Sequence, residues 1–195
     1  MMKFLEQLQK EYSDNEKLAL LIRHADRDPI PFGSFGNEIP INDKGKQDAY
    51  KFGNKLSEFK INKIYTSPLL RCVQTAEYIS KGYGKNLPIF TTTALGAPGL
   101  HVKNEQIAGE LYLQYGIQPI YQRFVSQENL PGFASPSELR RELSHYLKNS
   151  TQDNGITLFI SHDLLIAMFH YAWNQTVYDS ENWLKFLTGI IIKTS

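Results

Sequence analysis

The stretch LALLIRHADRDP, residues 18–29, carries the strongest structural signal in this chain. Residues 18–22 form an apolar run that is too short for a buried helix, so the pattern predicts a fully buried strand. The run leads directly into Arg23, His24 and Arg27. In open α/β folds, ligands bind beyond the carboxyl ends of the strands. Because a histidine between arginines combines a nucleophile with groups that stabilise negative charge, we expect the chemistry at the end of this strand.

Strand and helix patterns alternate along the rest of the chain. Further strands are predicted at residues 61–65, 87–90 and 156–160. Helices are predicted at residues 3–12, 42–59, 67–80, 136–147 and 163–173. A β-branched run that ends near residue 193 is typical of a last, antiparallel edge strand. The alternation predicts a three-layer α/β/α sandwich around a mainly parallel sheet.

Capping residues locate two of these helices. Asn42 is a typical N-cap for the helix over residues 42–59, and the pair Ser67–Pro68 predicts a helix that starts at Ser67. Arg71 is then expected in the opening turn of that helix, where unpaired N–H groups favour an anion. Glycine and proline interrupt residues 91–135, which we interpret as a small inserted cap over the strand ends. Residues 1–195 are interpreted as a single domain.

The composition restricts the classes of function. The chain has 195 residues with 42% hydrophobic content, and its 21 basic and 20 acidic residues give a net charge of +1, which provides no basic face for nucleic acid. The single cysteine excludes an intramolecular disulfide, and no Cys/His spacing is typical of zinc, so we expect neither a metal nor a cofactor. The amino terminus lacks the apolar core of a signal peptide, and no run is long enough to span a membrane. We expect a cytoplasmic protein whose partner is a small molecule, not a nucleic acid or a membrane; no pattern predicts the oligomeric state.

Six side chains are expected to converge at one edge of the sheet, because parallel strands end on the same side. These residues are Arg23, His24, Arg27, Arg71, His162 and Asp163. Arginine forks match phosphate oxygens bidentately, and a neutral imidazole can accept a phosphoryl group from an ester. Such a transfer mainly needs positioning and charge neutralisation, which this set provides without a metal. Asp163 is the acid that the sequence places best to protonate a departing alkoxide.

The same residues carry a resemblance to a known family. RHADRDP closely resembles the RHGxRxP signature of the histidine phosphatase superfamily in its acid-phosphatase branch, with Ala25 where the family usually has glycine. Three further segments are similar to family motifs: INDKGKQDA to LTxxGxxQA, YTSPLLRCVQTAEYI to SPLxRxxQTA, and SHD to a late histidine that an acid follows. These segments are spread over residues 18–169, so the resemblance covers most of the chain.

The resemblance implies a phosphoglycerate mutase-like fold and a metal-independent phosphomonoesterase that acts on a small phosphorylated metabolite. It implies that His24 is the phosphorylated nucleophile and that Asp163 is the proton donor. It also implies that four side chains form the phosphate pocket: Arg23, Arg27, Arg71 and His162. The mutase-like branch takes its acid from the segment after the third strand, which here has no carboxylate before Glu105. For the phosphatase, kcat/KM is expected to peak at roughly pH 4.5 to 6.5.

Several alternatives stay open at this point. A phosphoglycerate mutase-like phosphotransferase would return the phosphoryl group to a sugar acid, and a non-catalytic module would only bind a phospholigand. Asp163 can instead orient His162, in which case Glu105 or Glu110 from the cap delivers the proton. Cys72 does not fit a cysteine phosphatase, because Tyr78 stands where a C-x5-R loop needs arginine. His101, His145 and His170 lie outside these motifs and are expected to be structural or exposed.

Overall fold

The computed structural model describes residues 2–13, 15–31 and 33–194. In these residues the chain forms five strands: β1 (Lys17–Arg23), β2 (Ile61–Thr66), β3 (Ile89–Thr91), β4 (Gly155–Ser161) and β5 (Gly189–Lys193). The described α-helices are α1 (Met2–Glu11), α2 (Asp43–Leu56), α3 (Leu70–Tyr83), α4 (Glu105–Tyr115), α5 (Ile117–Val125), α6 (Pro136–Ser150) and α7 (Asp163–Asn174). The limits of the predicted domain, Met1 and Ser195, lie outside the described residues.

The five strands form one sheet in the order β3-β2-β4-β1-β5. β1 and β2 both pair in parallel with β4, and β3 pairs in parallel with β2. β5 runs antiparallel to β1 at the edge of the sheet. The predicted α/β fold with a mainly parallel sheet and an antiparallel last strand is therefore confirmed. Arg23 at the end of β1 is the register partner of Ser161 at the end of β4, so the chain after each strand emerges at the same edge.

Helices cover both faces of the sheet, and β1 is buried between them. Leu18, Leu20 and Ile22 belong to the hydrophobic core that includes residues of α2 and α3. Ala19 and Leu21 belong to the core on the other face, with residues of α5, α6 and α7. Successive side chains of a strand point to opposite faces, so a strand with two buried faces reads as an uninterrupted apolar run. This is why polar and apolar residues do not alternate in residues 18–22.

Helices α2 and α3, which cover the same face of the sheet, pack with their backbones in close contact. A Cβ atom at Gly53 of α2 would lie 2.1 Å from the Ile79 carbonyl oxygen of α3. A Cβ atom at Gly82 of α3 would lie 2.0 Å from the Tyr50 carbonyl oxygen of α2. Only glycine allows this approach, because any other residue places a carbon atom inside the neighbouring peptide group. The close packing fixes α3, and with it Arg71, against the rest of the layer.

The predicted start of α3 is wrong, although that of α2 is confirmed. Asn42 is the N-cap of α2, and its side-chain oxygen accepts a hydrogen bond of 2.8 Å from the Gly45 amide. α3 begins at Leu70, and its N-cap, Leu69, provides no side-chain hydrogen bond. Ser67 stays extended because its amide donates to the Ile160 carbonyl oxygen at 3.0 Å, which continues the pairing of β2 with β4. Arg71 still lies in the opening turn.

The segment that we interpret as the cap, residues 91–135, contains a short 3₁₀ helix (Thr93–Leu95) before α4 and α5. Ile120, Tyr121 and Phe124 of α5 are buried in the same core as α7. No α-helix in the described part of the chain is long and apolar enough to cross a membrane.

Candidate active site

His24 lies directly after β1 and has a defined ring orientation. Its Nδ1 is 2.8 Å from the carbonyl oxygen of Ala25, and its amide donates to the Ser161 carbonyl oxygen at 3.0 Å. Because a carbonyl oxygen only accepts hydrogen bonds, Nδ1 carries the hydrogen and donates it to Ala25. In the neutral ring, Nε2 therefore holds an unshared electron pair. This is the nitrogen atom that can act as a nucleophile.

The surroundings of His24 keep its ring neutral. The side chain is buried, with 2% of its surface exposed. Burial, and then the positive charges of Arg71, Arg23 and Arg27, hold the pKa of His24 well below its usual value of 6.5, against the opposing effect of the hydrogen bond to Ala25. A neutral imidazole is the form that a nucleophilic role requires.

Arg71 and His162 form a bonded pair beside His24. Arg71 Nη1 donates to the Gly36 carbonyl oxygen at 2.7 Å, and its Nη2 donates to His162 Nδ1 at 3.2 Å. Since guanidinium only donates, His162 Nδ1 is the acceptor, and His162 Nε2 donates to Ser67 Oγ at 3.0 Å. The rings of His24 and His162 lie edge to face, with 5.5 Å between their centroids. Burial, and then the positive charge of Arg71, lower the pKa of His162 well below 6.5, against the opposing effect of Asp163.

Asp163 is held as an ion-pair partner of Arg23. Its Oδ2 lies 2.7 Å from Arg23 Nη2 and accepts a hydrogen bond of 3.1 Å from Trp183 Nε1. Its Oδ1 accepts from the Leu164 amide at 3.0 Å. Burial disfavours the charged carboxylate, but Arg23, Trp183 and these other contacts outweigh it, so the pKa of Asp163 is lowered. Asp163 is therefore ionised in this arrangement.

Three buried N–H groups in the site have no partner within the described residues. They are the Nε–H groups of Arg23, Arg27 and Arg71. The positive charges of the same three residues all act on the His24 ring and lower its pKa. Buried donors in folded proteins are almost always paired. Three unpaired donors on arginines around one histidine are the donor set that an oxyanion with several oxygen atoms would satisfy.

Arg27 is placed differently from the other predicted residues. Its Nη1 donates to the Asp28 carbonyl oxygen at 2.8 Å, and among the described residues it forms no hydrogen bond or ion pair with the other five. Arg23 with Asp163, and Arg71 with His162, are bonded pairs, and His24 packs beside His162. The structure therefore brings five of the predicted residues into direct contact and places Arg27 at the margin of the cluster.

A cavity of about 330 Å³ opens beside Arg71 and His162. His24 does not line this cavity, and its ring centroid lies 5.5 Å from that of His162, which does. Glu105, the first residue of α4, lines the cavity, whereas Glu110 is not part of its wall. Glu105 is therefore the carboxyl side chain of the described cap residues that lines this cavity together with Arg71 and His162.

Sequence reasoning missed the contribution of His101 to this cavity. His101 lies in the cavity wall with 9% of its surface exposed, and its Nδ1 is buried without a partner in the described part of the chain. Burial lowers its pKa to about 4, so the ring is neutral. No motif surrounds His101, and no local pattern signals that its turn folds over the strand ends.

Cys72 is next to the cluster but is not a candidate nucleophile. Its side chain is fully buried, and burial raises the pKa of the thiol to about 12, with Arg71 acting in the opposite direction. A thiol must ionise to act as a nucleophile. The expectation that Cys72 does not carry the chemistry agrees with this environment.

Together, the fold and this cluster define a class of protein. It is an α/β protein with a neutral histidine and arginines at the carboxyl edge of a mainly parallel sheet, a set of groups that can bind an oxyanion. The chain belongs to the histidine phosphatase superfamily, since the family model described as "Histidine phosphatase superfamily (branch 1)" matches residues 19–187. The matching model is that of branch 1, so the predicted acid-phosphatase branch is not confirmed. No curated protein sequence matches this chain.

Solved structures with the same fold include enzymes that act on different phosphate esters. A phosphoglycerate mutase from Bacillus anthracis str. Sterne is 15% identical, with a TM-score of 0.56 over 92% of this chain and 88% of its own. A mycobacterial glucosyl-3-phosphoglycerate phosphatase is 17% identical, with a TM-score of 0.54 over 80% and 78%. A phosphoserine phosphatase from Entamoeba histolytica is 19% identical, with a TM-score of 0.52 over 80% and 78%. These similarities confirm the phosphoglycerate mutase-like fold.

Proposed function

We propose that this protein is a metal-independent phosphomonoesterase that transfers a phosphoryl group from a small ester to His24 and then to water. The observation that carries the proposal is a neutral histidine on which the charges of Arg23, Arg27 and Arg71 act, each with a buried Nε–H that has no partner among the described residues. A phosphoryl group has several oxygen atoms to accept these donors and a phosphorus atom that Nε2 can attack.

The proposed reaction has two steps. In the first, the electron pair of His24 Nε2 attacks phosphorus, the bond to the ester oxygen breaks, and the departing alcohol takes a proton from a carboxylic acid. In the second, the carboxylate accepts a proton from water while the water oxygen attacks phosphorus. The P–Nε2 bond then breaks, and its electron pair returns to the ring. The arginines stabilise the charge on the phosphoryl oxygens in both steps.

The Nε–H of Arg71 has no partner among the described residues, whereas its Nη1 is already bonded. This Nη1 donates to the Gly36 carbonyl oxygen, a neutral acceptor in the loop of residues 28–42. A phosphoryl oxygen carries negative charge and forms a stronger hydrogen bond with guanidinium than a neutral carbonyl does. We therefore propose that substrate binding releases Gly36 from Arg71 and shifts this loop.

We propose Glu105 as the proton donor and Asp163 as the residue that positions Arg23. Both carboxylate oxygens of Asp163 already accept hydrogen bonds, and the lowered pKa of Asp163 makes it a poor acid. Glu105 lines the cavity next to Arg71 and His162 and has no ion-pair partner within the described residues. A doubly charged phosphate ester nearby raises the pKa of a carboxyl group, which favours its protonated form. The proposal keeps a kcat/KM maximum at roughly pH 4.5 to 6.5.

The proposal also keeps three expectations from the sequence. Residues 1–195 form one domain, residues 91–135 form its cap, and the protein acts in the cytoplasm. The acid-phosphatase assignment stays a proposal that rests on the RHADRDP motif and on the segment after the third strand, which has no carboxylate before Glu105.

The deciding experiment measures phosphate release from p-nitrophenyl phosphate in excess chelator, followed by trapping of the phosphorylated protein in alkaline denaturant, in which phosphohistidine is stable. We expect steady turnover and a mass increase of one phosphoryl group on His24. His24→Asn should abolish turnover and phosphorylation, because the asparagine side chain has no nucleophilic nitrogen. Its side-chain amide can still donate a hydrogen bond to Ala25, so the local structure is kept. His145→Asn is the matched control, because His145 is exposed on α6 and should not affect turnover. Full activity of His24→Asn, or loss of all turnover in chelator, would refute the proposal.

A phosphoglycerate mutase-like phosphotransferase is the second candidate, and the similarity in fold to the Bacillus anthracis mutase favours it. It differs in returning the phosphoryl group to a sugar acid. Incubation with each phosphoglycerate and analysis by NMR separates the two: isomer interconversion supports the mutase, and phosphate release supports the phosphatase. Neither outcome would be seen for a module that only binds phospholigands.

A further inference from the structure

We propose that the 330 Å³ cavity beside Arg71 and His162 binds the alcohol part of the ester and selects an uncharged, apolar or aromatic group over one that bears a carboxylate. The proposal deepens the proposed function and rests on it, because it assumes that the phosphoryl group binds between the arginines and His24. It names a substrate class that neither the family nor the fold specifies.

Apolar side chains form most of the wall of this cavity. They come from the loop of residues 28–42, the segment before α3, the cap and α7: Phe35, Leu69, Pro98, Val102, Phe133 and Leu164. Burial of apolar surface against such a wall is favourable, at roughly 25 cal/mol per Å². A sugar acid or an amino acid would instead bring several polar groups to a wall in which apolar side chains predominate, so some of these groups would lose their hydrogen bonds to water.

The few charged groups of the cavity do not suit an anionic leaving group. Arg71 is the one guanidinium in the described wall, and it is assigned to the phosphoryl group. His162 and His101 are neutral because burial lowers the pKa of each ring. The one carboxyl side chain of the described wall is Glu105, the proposed proton donor, which offers no positive charge. A carboxylate on the substrate would therefore be buried in the cavity without a cation of its own.

A pair of stacked rings stands at the wall between the loop and α4. The rings of Phe35 and Tyr112 lie 5.4 Å apart at an interplanar angle of 21°. Phe35 packs over Gly109, where a Cβ atom would lie 3.3 Å from Phe35 Cζ. Phe35 nevertheless keeps 43% of its surface exposed. An exposed aromatic face beside an apolar cavity offers a stacking surface to an aromatic ring of the substrate.

The size of the cavity limits the leaving group further. Ligand pockets usually measure about 300–1,000 Å³, and this cavity, at about 330 Å³, is at the lower end of that range. A single ring or a short aliphatic chain is consistent with this volume. The structure thus favours a small monoester such as an alkylphenyl phosphate over a large conjugate.

The test compares three aryl phosphates whose leaving groups have similar acidity and differ in charge. The probes are 4-ethylphenyl phosphate, 4-(carboxymethyl)phenyl phosphate and 4-(aminomethyl)phenyl phosphate, and kcat/KM is measured for each. We expect the ethyl compound to exceed the carboxymethyl compound by about 10-fold or more, the size of a typical specificity effect in an apolar pocket. The aminomethyl compound should fall between them, because an oxygen atom of Glu105 can accept a hydrogen bond from its ammonium group.

A charge variant then links the preference to this cavity. Asn37 is an exposed lining residue in the loop, and Asn37→Lys adds a cation at the mouth. We expect this variant to raise the carboxymethyl-to-ethyl ratio of kcat/KM at least about 3-fold, since it supplies the missing counter-charge. Gln9→Lys is the matched control, because Gln9 is exposed on α1 and its variant changes the net charge equally without touching the cavity.

A ring variant tests the stacking surface separately. Phe35→Ala removes one ring of the pair, and Phe35→Leu keeps an apolar side chain without the ring. We expect both to lower kcat/KM for 4-ethylphenyl phosphate, with the larger loss in Phe35→Ala, and to change hydrolysis of O-phosphoserine little.

The outcomes separate this inference from the proposed function. Equal or faster hydrolysis of the carboxymethyl ester, or an unchanged ratio in Asn37→Lys, overturns the inference while His24-dependent phosphate release still supports the phosphatase. If none of the three esters releases phosphate and no phosphorylated His24 is trapped, the proposed function fails, and the inference fails with it.

Discussion

Arg71 links two parts of the fold through its guanidinium, which donates to the Gly36 carbonyl oxygen and to His162 Nδ1. Its Nε–H is buried and has no partner in the described residues. The residue therefore holds a loop, orients a histidine and retains a donor for an anion. Arg71 lies within the first turn of α3, where free backbone N–H groups add to the positive potential.

Replacement of Arg71 by alanine is expected to remove a preorganised charge from the transition state. The loss of kcat/KM should be on the order of 10²- to 10³-fold, or about 3 to 4 kcal/mol, as for removal of one oxyanion donor. Steady-state kinetics with p-nitrophenyl phosphate measures it. Arg140→Ala is the control, because Arg140 is exposed on α6 and stacks only on Trp173 among the described aromatic rings. Near-normal kinetics in Arg71→Ala would place the phosphate pocket elsewhere.

The two candidate carboxylates are distinguished by the leaving group. Glu105→Gln should reduce kcat/KM for an alkyl phosphate far more than for p-nitrophenyl phosphate, whose phenolate leaves without a proton. Asp163→Asn should reduce both to a similar extent, because it removes the ion pair that positions Arg23. Glu110→Gln should change neither, since Glu110 does not line the cavity. If Asp163→Asn instead shows the leaving-group dependence, Asp163 is the donor and Glu105 is not.

At the level of elements, the end of β2 explains why the start of α3 was predicted wrongly. The pair Ser67–Pro68 has the local chemistry of a helix start. The amide of Ser67, however, pairs with Ile160 of β4, and its hydroxyl accepts from His162 Nε2. Contacts with another strand therefore override the local capping preference. The hydroxyl that was expected to cap a helix instead fixes the tautomer of a site histidine.

The α2–α3 contact gives a stability prediction. Gly53→Ala would place a methyl group 2.1 Å from the Ile79 carbonyl oxygen, so the two helices must separate. We expect a loss of about 1 to 3 kcal/mol in the free energy of unfolding, measured by urea denaturation, although alanine in an unconstrained helix would stabilise by about 1 kcal/mol. Asn54→Ala, at the next residue and on the exposed side of α2, should change the free energy of unfolding by less than about 0.5 kcal/mol. A stabilised Gly53→Ala protein would contradict the close approach.

For the molecule as a whole, buried neutral histidines connect the site to the pH dependence of stability. Burial lowers the pKa of His101 to about 4, whereas in the unfolded chain its pKa is near 6.5. Between these values the unfolded state binds more protons than the folded state, so stability falls as the pH falls from 6.5 towards 4. His24 acts in the same direction, because its pKa is also well below 6.5.

We therefore expect the free energy of unfolding to decrease between pH 7 and pH 4, with His101 contributing on the order of 3 kcal/mol. Urea denaturation at a series of pH values measures the decrease, and His101→Gln should flatten the curve by that contribution. His145→Gln should leave the slope unchanged, because His145 is exposed. Parallel curves for wild type and His101→Gln would show that His101 is not buried in its neutral form.

The sequence by itself determined the sheet, the order of its elements and the segments that meet at its edge. Residues 18–22 form an apolar run and residues 156–160 a run that Thr157 alone interrupts, and both patterns predict strands that are buried on both faces. The polar residues that follow them emerge at the same edge of a parallel sheet. His24, Arg71, His162 and Asp163 could therefore be predicted as neighbours, since short-range patterns and strand direction are sufficient to bring them together.

Only the tertiary structure decided which partner each of these side chains takes. The pairing of Asp163 with Arg23, the contact of Arg71 with Gly36, and the places of His101 and Phe35 in the cavity wall join segments that are far apart in the sequence. Whether a hydrogen bond or an ion pair forms depends on differences of a few tenths of an ångström in the distance between two groups. These distances are set by the packing of the loops and the cap, which leaves no periodic pattern in the sequence.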